Sequence, residues 1–398
     1  MDKICIIAFK YPPFMGVGAN RWKSLTESLA NKGIEVHVVT VPRNKLSSIH
    51  ENIVVHEVAC DFFYKLLELR LSFRPLEFLR KVVCFGLSKT IWFDDEAQYW
   101  GKNLLPFLSD LHDDTGITHF IATGHPFQSN RWLSEFKKAR PEIKAIQDFR
   151  DPWCENSFKG YSLLPSFSRQ IKTWQDQTIL NSDLNIYVTS GLKELMCRNE
   201  EKKRIVIKNG HSFSVYKRLD NRDKVIIHAG NITNGRDKTF ECLLELINTD
   251  SSVLKNFSLL LCGYVPSDLI QRYQTLFNNG TINYVGLLSR DEVEKAMTEA
   301  SIGLHLNSTS TGFALSTKLY EYTACGLPVL SITPEGDMDD IVIDNGIGVI
   351  TRPNSSSIKS GLSEIINFDS FDKLEVFARN SHFDARADEL IMQIRALD

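Results

Sequence analysis

The sequence contains no run of 18 apolar residues, so nothing in it reads as a transmembrane span. Met1-Asp2-Lys3 passes straight into the apolar stretch Ile4 to Phe9, which is too short for the apolar core of a secretory leader. Eight cysteines stand at 5, 60, 84, 154, 197, 242, 262 and 325, no two closer than 20 residues, which excludes C-x-x-C redox and zinc-ribbon spacing. They read as buried thiols in a reducing compartment. A formal net charge of −3 gives no global field that would recruit nucleic acid. There is no fixed-period repeat and no low-complexity tract beyond Ser355-Ser356-Ser357. Together these absences predict a cytoplasmic protein, in which the sequons at Asn231, Asn256, Asn279 and Asn307 carry no glycan.

What is present is a globular composition, 43% hydrophobic and 24% charged over 398 residues, enough for two domains of about 150 to 200 residues each. Ile4 to Phe9 reads as a central parallel strand covered on both faces. A loop with Gly16 and Gly18 follows, then a helical pattern through Trp22, Leu25 and Leu29, then a strand from Val36 to Val41. This is a βαβ unit with a glycine-bearing first turn, where the glycines permit close backbone approach to a ligand. A dinucleotide site is disfavoured, because Arg21 occupies the last position of G-x-G-x-x-G and the second strand ends without an acidic residue.

His119 to Thr123 reads as another buried strand, with His125 just past its carboxyl end, where open α/β sheets place ligands. There it either caps and packs the turn or exchanges a proton near neutral pH. Lys144 to Asp148 is the next strand and leads into Asp148-Phe149-Arg150-Asp151-Pro152-Trp153. Arg150 and Asp151 either pair with each other or position an acceptor hydroxyl, and Trp153 either stacks on a sugar or fills core.

A second βαβ series opens with the strand Val225 to Gly230 and a loop carrying Arg236 and Lys238 ahead of a helix. Two cations at a helix start suit a diphosphate leaving group. Strands at Phe257 to Cys262, Ile282 to Val285 and Ile302 to Leu306 follow, and the last feeds the stretch Asn307 to Leu330. That stretch opens with a hydroxyl- and glycine-rich loop containing Thr311 and Gly312, a ready anion site ahead of a helix. Lys318 adds a cation, Glu321 is an acceptor suited to paired ribose hydroxyls, and Gly326 and Pro328 stop the helix.

This stretch resembles the nucleotide-sugar segment of the retaining, family 4-like glycosyltransferases of the GT-B fold. Lys318, Glu321, Tyr322, Gly326, Pro328 and Val329 match its Lys-x-x-Glu-Tyr-x-x-x-Gly-x-Pro-Val pattern. Asp148, Arg150, Asp151, Pro152 and Trp153 are similar to the Asp-x-Arg-Asp-Pro-Trp signature of one subgroup. The resemblance implies two doubly wound Rossmann-like α/β domains facing each other across a cleft. These are an acceptor-binding domain at 1–210, a linker at 211–224, a nucleotide-sugar domain at 225–370, and a helix at 371–398 that returns to the first domain. It implies a hexosyltransferase type of retaining transfer from a nucleotide diphosphate sugar to a glycan or lipid-linked glycan, in surface polysaccharide biosynthesis, with no cofactor and no metal. Gly16, Gly18, Arg236, Lys238, Thr311, Gly312, Lys318 and Glu321 would bind the donor. His125 and Asp151 would act at the reacting groups, with Arg150 and Trp153 at the acceptor. The sequence departs from the family at Phe313, which replaces an expected glutamate. Two alternatives stay open: a nucleotide-sugar 2-epimerase of the same fold, and a non-catalytic homologue acting as a binding partner.

Residues 60–93 interleave bulky apolar groups with Lys65, Arg70, Arg74, Arg80, Lys81 and Lys89, against only Asp61, Glu68 and Glu77. Such a segment is either a helical hairpin packed on the first domain or an amphipathic contact with an anionic membrane or lipid acceptor, peripheral at the inner membrane face.

Overall fold

A computed structural model of the chain describes residues 2–14, 16–42, 50–155, 165–196, 203–215, 222–309, 316–334 and 337–398. The chain forms two compact units, 1–208 with 386–398, and 209–385.

In the first unit seven parallel strands run β1 (Lys3–Ile7), β2 (Glu35–Thr40), β3 (Ile53–Glu57), β4 (His119–Thr123), β5 (Lys144–Phe149), β6 (Leu184–Tyr187) and β7 (Arg204–Val206). Their order across the sheet is β3-β2-β1-β4-β5-β6-β7. The chain winds outward from β1 in one direction, returns, and continues from β4 in the other, so β1 and β4 flank a switch point. After Lys3, β1 is apolar because helices cover both faces; Ile4, Cys5, Ile6 and Ile7 are fully buried.

The second unit repeats the plan with β8 (Val225–Ala229), β9 (Ser258–Cys262), β10 (Ile282–Gly286), β11 (Ile302–Leu306), β12 (Val329–Ile332) and β13 (Gly348–Thr351), ordered β10-β9-β8-β11-β12-β13 and all parallel. Its switch point lies between β8 and β11. Tyr322, buried on the helix Thr317–Ala324, splints it: its hydroxyl accepts from the Ala229 N–H at 2.9 Å and donates to the Leu304 carbonyl at 3.1 Å. Gly303 is required opposite, since a Cβ there would lie 2.4 Å from the Tyr322 ring.

One expectation is corrected. Residues 371–397 are not one helix but two, Phe371–Asn380 and Phe383–Arg395, because the intervening Ser381-His382 forms a short parallel bridge with His211. The Phe383 N–H donates to the His211 carbonyl at 3.0 Å, and that interruption ends the first helix. The segment at 60–93 forms the helices Phe62–Glu68 and Arg74–Ser88. Phe63 and Tyr64 of the first helix are buried, whereas in the second Leu76, Phe78, Leu79, Val82, Val83 and Phe85 are exposed and only Cys84 is buried. No helix is long and apolar enough to cross a membrane, among the described residues.

Candidate functional site

In the first unit, the turns leaving β1, β4 and β5 enclose a pocket of about 390 Å³ lined by Lys10, Gly16, Gly18, His125, Arg150 and Asp151, among others. Its scaffold is the buried carboxylate of Asp148. One oxygen accepts from Trp22 Nε1 and Thr123 Oγ1, each at 2.9 Å, and the other lies 3.4 Å from the Arg21 guanidinium. Arg21 in turn donates to the carbonyls of Ile207 and Lys208 at 3.2 and 3.0 Å. The helix Val17–Asn31 and the ends of β4 and β5 are thereby fixed to one another.

Arg150 projects over the glycine turn. Its Nε donates to the Gly124 carbonyl at 3.0 Å, and a Cβ on Gly18 would come within 2.3 Å of its guanidinium. The space that glycine leaves at position 18 is thus filled by Arg150, a correction to the expectation that a ligand's close approach explains it. Arg150 and Asp151 form no ion pair with each other, among the described residues. His125 lies against Phe127, with ring centroids 5.7 Å apart.

Trp153 requires a firmer correction. It is 0% exposed, stacked on Phe127 at 5.4 Å, with Nε1 donating to Asp94 at 3.1 Å. It fills core and has no face left for a sugar.

Sequence reasoning missed Lys10, Glu96, Asp94 and Asp95. Lys10 forms an ion pair with Glu96 beside the pocket. Burial pushes the Glu96 carboxyl up, but Lys10 and His125 outweigh it and hold it at about 2, so Glu96 is an anion at neutral pH. Asp95 accepts from the backbone N–H groups of Phe127 and Gln128 at 2.7 and 3.1 Å and so orients the turn that carries His125. These acidic residues sit in an irregular stretch whose partners lie about 30 or more positions away in the chain, so no local spacing marks them.

In the second unit, the turn leaving β8 and the loop leaving β11 are tied together. Ser308 Oγ donates to the Asn234 carbonyl at 2.8 Å, and Thr239 Oγ1 to the Asn307 carbonyl at 2.7 Å. Gly235, at φ 84°, turns the chain into the helix Arg236–Thr249, whose first residue is the half-buried Arg236. Burial lowers the pKa of its guanidinium. Ser316 caps the helix Thr317–Ala324 by accepting from the Lys318 N–H, and Lys318 Nζ donates to Glu321 Oε2 at 2.6 Å. Arg236 and Lys318 are close enough to act together on the buried His228, whose pKa burial and these two cations lower to about 4.

Lys238 departs from expectation. It is exposed and stands two residues beyond Arg236 in the same helix, about 200° around the axis, so the two leave the helix on different faces. Thr311 and Gly312, with Phe313, lie outside the described residues. The described residues hold no cluster of three or more His, Cys, Asp or Glu suited to a metal.

The glycosyl transferases group 1 family model matches residues 214–381. The chitobiosyldiphosphodolichol beta-mannosyltransferase of Debaryomyces hansenii is 23% identical over 239 residues, 52% of this chain and 50% of that protein. Its counterpart in Candida albicans is 24% identical over 217 residues, 48% of this chain and 47% of that protein. The chain therefore matches about half the length of these curated relatives. Among solved structures, Anabaena HepE in complex with UDP aligns over 100% of both chains with a TM-score of 0.66 and 12% identity. WaaG, a glycosyltransferase involved in lipopolysaccharide biosynthesis, aligns over 97% of this chain and 98% of its own, with a TM-score of 0.59 and 11% identity. At these identities the structural likeness is one of fold, and the fold is GT-B. Residues 214–381 thus match the glycosyl transferases group 1 model, within a chain that has the two-domain GT-B fold.

Proposed function

We propose that the chain moves a sugar from a nucleoside diphosphate sugar to a hydroxyl of a glycan or lipid-linked glycan. The observation that carries this reading is the joined loop pair at the β8/β11 switch point, which presents Arg236 and Lys318 at the carboxyl ends of the strands. Breaking a glycosidic bond to a diphosphate puts negative charge on the departing oxygen, and fixed cations in a partly buried site stabilise that charge. In this reading Arg236 and Lys318 hold the diphosphate without a metal, and Glu321 accepts from the ribose hydroxyls. The Lys318–Glu321 ion pair holds both groups in place before the ligand arrives. The relatives named for a beta-mannosyltransferase and for a UDP complex support a nucleotide sugar and a glycan acceptor in general terms.

In the first unit, His125, Asp151 and Arg150 line a pocket suited to an uncharged polyol, and we assign it to the acceptor side. Retention follows the family resemblance, and anomeric NMR of the first product formed decides it. The exposed apolar residues of the helix Arg74–Ser88, beside Arg70, Arg74 and Lys81, support peripheral contact with a membrane that carries a lipid-linked acceptor in surface polysaccharide assembly. Co-sedimentation with anionic vesicles, lost in Phe78→Asp with Phe85→Asp, is the expected result.

The donor assignment is tested by a thermal-shift screen of nucleotide sugars on the intact chain, followed by turnover with Glu321→Ala. Stabilisation by one nucleotide class and loss of transfer in the variant are expected. Unchanged transfer in a folded Glu321→Ala protein would refute the assignment.

A further inference from the structure

His228 is the fourth residue of β8, 5% exposed, in a strand whose other members are apolar. Its Nδ1 stands 3.0 Å from the Leu304 carbonyl oxygen, which has no proton to give. Nδ1 therefore carries the hydrogen, and in the neutral ring Nε2 is a bare lone pair. Nε2 is buried and makes no hydrogen bond, although the Gly230 backbone lies near enough to favour the protonated ring. An unmet buried polar atom costs stability unless something else occupies it.

The surroundings point to an occupant. Nε2 faces the turn leaving β8, since a Cβ on Gly230 would lie 3.6 Å from it. Titratable groups nearby are Arg236 on the following helix, Lys318, Glu321 and Tyr322 on the helix Thr317–Ala324, His305 on β11 and Cys262 on β9. His305 bonds Ser331 Oγ through its Nδ1 at 2.9 Å, so it is anchored toward β12. Of the groups whose charge bears on His228, both Arg236 and Lys318 are cations. A lone pair flanked by two cations repels nothing while the site is empty. It would oppose a phosphate oxygen unless it first became an N–H.

We propose that His228 is a third contact to the phosphates of the bound nucleotide, taking a proton from solvent as the ligand arrives and donating it through Nε2. The inference rests on the donor reading given above and deepens it. In the empty protein, burial and the two cations hold His228 at about 4. A nearby opposite charge raises a pKa by about 1 to 3 units, and a diphosphate brings two such charges, enough to reach the neutral range. Affinity should then increase as pH falls from neutral toward about 5, because the bound state carries one more proton than the free state. His228 is a positioning residue for the leaving group, and the ligand switches it on.

The test is calorimetry of UDP-glucose and GDP-mannose binding to the full chain at pH 6.5, in buffers of different ionisation enthalpy. A diphosphate esterified at both ends has no ionisation of its own in this range. Uptake approaching one proton per ligand is expected in the wild type and none in His228→Asn, whose amide N–H replaces only the Nδ1 donor. The affinity of the variant should fall about tenfold at pH 6 and far less at pH 8.5. Nitrogen-15 imidazole spectra of the wild-type protein, with and without ligand, give the same answer with no variant. Binding that Lys318→Ala weakens, with no proton uptake and no change in the His228 resonance, overturns this inference and leaves the donor reading standing. Failure of both probes to bind, with no thermal shift from any nucleotide sugar, overturns both.

Discussion

At the β1/β4 switch point, charges largely answer one another. Lys10 pairs with Glu96, Arg150 is tied to the Gly124 carbonyl, and Asp151 adds an anion to the same wall. At the β8/β11 switch point, Arg236 and Lys318 together depress a buried histidine, and Glu321 answers only one of them. On the proposed reading, two crevices of the same topology take different ligands, the first an uncharged hydroxyl compound and the second a polyanion. The fold gives each unit a place to bind, and the side chains at the strand ends decide what is bound.

The comparison can be broken most decisively at Lys318 and Glu321. Lys318→Ala should reduce turnover about 100- to 1000-fold, the usual cost of losing one group that stabilises developing charge, with the melting temperature nearly unchanged. A steady-state assay beside a melting curve checks it. The next largest effect is on the scaffold of the first crevice. Asp148→Ala leaves the buried Arg21 without its carboxylate and should destabilise the first unit by about 3–5 kcal/mol, read by denaturant titration. Nucleotide binding by whatever remains folded should be spared.

Acid acts on both units, since burial also lowers His56 and His119 of the first, but the second carries the larger shifts. His211, His228 and His305 are lowered by burial from 6.5 to about 4, 4 and 3, so the unfolded chain binds protons that the folded second unit does not. The stability of that unit is full above pH 6.5 and declines as pH falls from there toward 4. Hydrogen exchange at several pH values, resolved by unit, should show β8 and β11 losing protection in that window. A smaller effect is expected from Gly18→Ala, whose Cβ displaces the Arg150 guanidinium: the KM for acceptor rises several-fold while donor affinity holds. Lys238→Ala should change least, less than twofold in any constant, because its side chain points to solvent.

Much of this organisation is legible in the sequence. Apolar runs mark β1, β4, β8 and β11, the four strands that define both switch points, and those of β4 and β8 end in Gly124 and Gly230. The stop of the helix at Gly326 follows from its φ of 70° and the proline behind it. What is not legible has physical causes. β3 is a half-exposed edge strand and lacks a continuous apolar run. The helix Gln128–Ala139 begins with Gln128, Ser129 and Asn130, all buried, so its polar opening hides its place in the core. Asp94 and Asp95 matter through Trp153, Phe127 and Gln128, partners that only the fold brings near. Trp153 was readable either as a sugar platform or as core, and only the hydrogen bond to Asp94 and the stacking on Phe127 decide between them.

The central claim is that the nucleotide belongs to the β8/β11 crevice and the acceptor to the other. Equilibrium dialysis of labelled UDP and GDP against wild type, Arg236→Ala and Asp151→Ala tests it most directly. The account predicts that Arg236→Ala weakens binding of the preferred nucleotide about tenfold or more and that Asp151→Ala leaves it unchanged. Equal affinities for wild type and Arg236→Ala, or a loss confined to Asp151→Ala, would contradict it.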